Sequence, residues 1–121
     1  MSKISRINSN EASKRLDDVS DDQQFYCKDG TTFKNIIELG KALVVMEDET
    51  FEHHTTRGGI NDFSAWVKDV IGDDKLANEI SKSSTQIEAS EAVSQRIAFL
   101  QCKVIPDNIG GNYSQTTGIW L

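Results

Sequence analysis

Apolar side chains recur at steps of three and four over residues 36–104, whereas before residue 24 they stand singly among Ser, Asn and Asp, and after residue 105 they are sparse among polar residues and Gly until Ile119-Trp120-Leu121. Such steps put residues on one face of an α-helix, the face that turns to a core. Ile36, Leu39, Gly40, Leu43 and Val44 predict a first helix, on which Gly40 permits close approach by another element. Phe51 and His54 share one face of a short second helix over residues 50–55. Phe63, Trp66, Val67, Val70 and Ile71 give the strongest amphipathic signal in the chain. Leu76, Ala77 and Ile80 form a narrower stripe. Ala89, Val93, Ile97, Leu100 and Val104 line one side of a longer helix, a spacing that suits packing on a helix of this chain or of a second one.

Polar residues punctuate these segments where helix ends need partners. Asn35 with Glu38, and Thr85 with Glu88, have the spacing of an N-cap and its reciprocal acceptor. Asn61 and Asp73 are placed to cap the two helices between them, and Gly72 ends the first of these. Glu47, Asp48 and Glu49 put negative charge at a helix start, Arg57-Gly58-Gly59 breaks the chain, and Pro106 closes the last helix. Upstream, residues 24–28 read as a strand, Asp29-Gly30 as a two-residue turn and residues 31–33 as the returning strand. A lone hairpin is marginal in water, so Phe25, Tyr26 and Phe33 are expected to rest on helices. The expected fold is therefore mainly α with a short β-hairpin, an α+β arrangement with the hairpin packed on about four to five helices. Residues 1–23 read as a flexible leader, with at most a transient helix over residues 11–19. Residues 24–82 form the compact domain, 83–105 a C-terminal helix and 106–121 a polar tail.

A chain of 121 residues with thirty Leu, Ile, Val and Phe side chains allows one modest core. Its net charge of −6 argues against direct nucleic-acid binding, which draws its affinity from cations on phosphates. No segment reaches the roughly 20 apolar residues of a membrane span, and the first residues have no signal-peptide pattern, so a cytoplasmic, membrane-free protein is expected. Cys27 and Cys102 lack metal-knuckle spacing; in a reducing compartment both read most simply as small buried hydrophobes, with a disulfide between them left open.

Part of the chain resembles a family of small uncharacterised archaeal and bacterial domains. The resemblance rests on an aromatic strand and Gly turn, then Ile36-Ile37-Glu38-Leu39-Gly40-Lys41-Ala42-Leu43, then Asp48-Glu49-Thr50-Phe51-Glu52-His53-His54. Most specific is Asn61-Asp62-Phe63-Ser64-Ala65-Trp66, followed by Gly72-Asp73-Asp74-Lys75-Leu76-Ala77. Ile36 stands where the family has leucine, and the link over residues 55–60 is longer than the family's. The resemblance spans residues 25–80 and implies a fold and a role as a module, without a reaction, cofactor or catalytic residue.

His53 and His54 are the only histidines. Adjacent side chains on a helix diverge by about 100°, which prevents them from sharing a metal. The sharper reading sets His54 against Asp62 or Asp69, an imidazole oriented by a carboxylate as in general-base catalysis. The plainer one packs His54 beside Phe51 and Trp66 with a hydrogen bond to a helix end, leaving His53 exposed. The acidic residues at positions 47–52, 73 and 74 match no calcium loop and are explained as helix-start charge. No phosphate loop, nucleophile elbow or zinc motif occurs, and neither metal nor cofactor is called for.

Three functions remain in view. The first is a non-enzymatic protein-interaction module, binding a protein partner or itself, with Trp66, Trp120 and Leu121 as candidate binding residues. The second is a small enzyme or ligand-binding protein built on His54 with Asp62 or Asp69. The third is a regulator of a nucleic-acid machine that touches protein rather than phosphate.

Overall fold

The polar residues placed to start helices do so. In the computed structural model, which describes residues 7–104, the Asn35 side chain accepts the Glu38 N–H at 2.7 Å and opens α2, Ile36–Val45. Glu38 in turn accepts the Lys34 N–H at 3.0 Å, one residue further back than the expected reciprocal bond. Asn61 accepts the Ser64 N–H at 3.0 Å to start α4, Asp62–Trp66, and Asp73 accepts the Leu76 N–H at 3.1 Å to start α5, Asp74–Lys82. At the head of α6, Gln86–Val104, Thr85 accepts the Glu88 N–H at 3.1 Å as expected, and Glu88 accepts the Ser84 N–H at 2.8 Å, again one residue further back than the expected reciprocal bond. Between α2 and α4 lies α3, Asp48–Thr56, with Phe51 and His54 buried on one face.

The hairpin pairs β1, Phe25–Tyr26, antiparallel to β2, Thr32–Phe33, with Phe25 opposite Phe33. Its loop is longer than the expected two residues. Cys27 N–H bonds Thr31 O at 2.8 Å, and Gly30 at φ +95° completes a turn on Cys27 O. A three-residue loop ending in a positive-φ glycine is a common hairpin solution. Asp29 accepts the Thr31 N–H there at 2.9 Å, which holds its carboxyl below the usual range. The hairpin does rest on helices: Phe25 stacks on Phe33 at 4.8 Å and on Phe63 at 5.2 Å, and Trp66 meets both hairpin rings edge-on.

Three expectations are corrected. The stretch read as a flexible leader contains α1, Ser9–Leu16, capped by Asn8 and packed along α6 with Ala12 fully buried. Val19 N–H bonds Lys34 O at 2.8 Å, and Gln23 O accepts the Trp66 indole N–H at 2.8 Å, so this segment is tied to hairpin and helix alike. Its own apolar surface is small, but one alanine set against a long helix excludes water from both. Second, α6 is no appendage to a domain ending at residue 82. It lies along α1 and α2 and touches α5, and the core runs without interruption from Ala12 to Leu100. Third, the strongest predicted helix changes form after Trp66. Residues Val67–Ile71 make a π turn in which the Gly72 and Asp73 N–H groups both reach Val67 O, at 2.8 and 3.2 Å. The wider turn leaves Val70 and Ile71 half-buried while Val67 is sealed.

The described residues include no helix long and apolar enough to cross a membrane. Pro106, Trp120 and Leu121 lie outside the described residues, and with them the expected tail.

Candidate functional site

His54 and Asp62 do meet. Although residues 57–61 separate their helices, Arg57–Gly59 coils as a single 3-10 turn with Gly58 at φ +68°, and His54 Nδ1 comes to 3.0 Å from Asp62 Oδ2. The other ring nitrogen, Nε2, accepts the Lys28 backbone N–H at 2.9 Å. An Nε2 that accepts must leave the proton on Nδ1, so the neutral ring donates to Asp62 and both nitrogens are engaged. The ring sits 5.2 Å from Phe25 and 5.3 Å from Phe63. Chemically this is a strap from the hairpin loop through α3 to the first turn of α4, with no lone pair turned toward a substrate. Asp69, the alternative partner, is exposed on the π turn. His53, expected to be exposed, is half-buried with its ring edge-on to that of His54 at 4.8 Å.

Trp66, offered as a binding residue, is buried in the aromatic core with its N–H spent on Gln23 O. Its amphipathic position explains this: a ring at the third step of a core-facing stripe turns inward. Cys27 is buried and its thiol is pushed up, chiefly by desolvation, whereas Cys102 is exposed on α6, contrary to the reading of both as buried. Both thiols are free.

The densest polar site was not anticipated. Asp73 is wholly buried, and besides capping α5 it takes two bonds from Arg96 of α6, Nε to Oδ2 at 2.8 Å and Nη2 to Oδ1 at 3.0 Å. Arg15 of α1 adds a third contact at 3.4 Å and also holds Glu11 at 3.1 Å. One carboxylate thus joins three helices. The apolar stripe of α6 gave no hint of Arg96, which lies seven residues after Ala89 on the same inward side and is 6% exposed.

On the opposite side of α6 the surface is open. Gly40 lets α2 approach so closely that a Cβ there would lie 3.2 Å from Val93 Cγ1. Between the outer sides of α2 and α6 runs a groove with Gly40, Ser90 and Ser94 along its length and Val44 and Ile87 above it, 70% and 68% exposed. Lys41 edges it on α2 and Glu91 on α6.

Comparison with protein-family models, with curated proteins and with solved structures finds no match for this chain. Among the described residues no group of three or more His, Cys, Asp or Glu side chains is placed to hold a metal ion.

Proposed function

We propose that this protein is a non-enzymatic interaction module that works through the outer face of α2 and α6. The observation that carries this reading is the pair Val44 and Ile87, two branched apolar side chains left in water on neighbouring helices and flanking one groove. Exposed apolar residues scattered singly have no special meaning, but a set aligned along a groove with small residues in its floor has the form of a helix-docking surface. The saturated His54 ring supports the same reading, because general-base work needs a nitrogen free to take a proton. Membership of the uncharacterised small-domain family belongs to this proposal and adds no reaction to it.

A photoreactive benzoylphenylalanine in place of Ile87 or Val44, expressed in full-length chain and illuminated in cells, tests the proposal. Adducts to another polypeptide are expected from both positions and not from the same group at Lys75 on α5. Equal yields from all three positions would remove the reason for choosing this face.

A further inference from the structure

We infer that the groove between α2 and α6 receives a second copy of this chain, the two copies being related by a two-fold axis that runs along the groove between its edges. This rests on the reading of that face as the interaction surface. A two-fold interface presents the same patch from both sides, so the patch must complement itself. This one does so in charge. Its α2 edge carries Lys41 and its α6 edge carries Glu91, both exposed, and neither has a hydrogen-bond or ion-pair partner among the described residues. A two-fold axis between the edges brings Lys41 of each copy against Glu91 of the other, forming two equivalent ion pairs from four unpartnered charges.

The shape agrees with the charge. Gly40, Ser90 and Ser94 keep the middle of the groove low, so that a facing copy can approach closely and set its Val44 against Ile87 and its Ile87 against Val44. A partner of uniform charge would meet one edge favourably and the other unfavourably, whereas a second copy satisfies both. The outer stripes of two short helix segments fall at the small end of specific interfaces, which bury about 1,200–2,000 Å² in total. The dimer is therefore a weak one whose population follows concentration.

Sedimentation equilibrium of the full chain from about 1 to 500 µM reads this directly. The mass is expected to rise from 13.5 kDa toward twice that value. Lys41→Glu and Glu91→Lys alone each set like charges against each other at both symmetric contacts and are expected to weaken association by about ten- to a hundredfold. An equimolar mixture of the two variants restores opposite charges at both contacts and is expected to associate as the wild type does. That recovery is specific to the two-fold pairing, and circular dichroism of each variant checks that the helices are intact. A wild type that stays monomeric, or association that ignores both single swaps, overturns the proposal. If the wild type is monomeric while the Ile87 photoprobe still yields adducts to another protein, the self-pairing fails and the interaction reading stands. If Ile87 and Lys75 probes behave alike, the interaction reading itself fails.

Discussion

Two buried polar junctions hold this fold together, and they differ in how they are built. The His54 junction ties a neutral ring to a half-buried carboxylate and a backbone N–H, near the rim of the aromatic core. The Asp73 junction puts a full negative charge where water does not reach and surrounds it with a helix N-terminus and two guanidinium groups. The His54 pair has the form of a catalytic arrangement and acts as a strap. Asp73 has the sequence spacing of an ordinary cap, yet it joins α1, α5 and α6. Residue type and helix position are thus a poor guide to which polar group matters most. What separates the two is the penalty for breaking them: a neutral ring can be lost with its hydrogen bonds, but a buried charge left alone has no solvent to replace its partner.

Removing Asp73 should therefore have the largest effect. Asp73→Ala strips the cap and leaves Arg96 buried without its carboxylate, and a loss of about 3–5 kcal/mol in urea unfolding is expected. If Asp73→Ala unfolds at nearly the wild-type midpoint, the claim that this residue joins three helices is wrong. His54→Ala should cost less, about 2–4 kcal/mol, from lost ring packing and two hydrogen bonds. NMR sharpens the contrast further, because the imidazole proton should be found on Nδ1; a ring protonated only on Nε2 would mean that the Lys28 contact is not a hydrogen bond and that a nitrogen is available after all.

The smallest effect concerns the two thiols. Burial raises the Cys27 pKa, so the folded state holds that proton more tightly than the unfolded chain does. Its contribution to stability is complete below the unfolded thiol pKa and declines as pH rises from there through the folded value. Stability should fall slightly in this alkaline window in wild type and not in Cys27→Ala. A chromogenic disulfide reagent at neutral pH should label exposed Cys102 rapidly and Cys27 only as the protein opens. Equal labelling rates would contradict the buried placement of Cys27.

Much of the architecture is legible from spacing alone. The caps at Asn35, Asn61, Asp73 and Thr85 involve partners three residues away, so the chemistry that makes them is contained in the sequence window that reveals them. The inward stripe of Phe63, Trp66 and Val67 is equally plain, because helix periodicity converts directly into burial. The His54 and Asp62 pair can be suspected from eight positions apart but not interpreted, since the Lys28 N–H that occupies the remaining nitrogen comes from 26 positions away. The α1 segment escapes a sequence reading for a related reason. Counting its own apolar residues ignores the surface that another helix supplies.

Helix starts, the hairpin and the core-facing stripes of this protein follow from interactions within a few residues, where covalent geometry already holds the partners close. The union of Asp73 with Arg96 and Arg15, the docking of α1 and the groove between α2 and α6 exist only once distant segments have packed. Burial is a property of the assembled molecule, and it decides which charges need partners and which apolar side chains are left facing water.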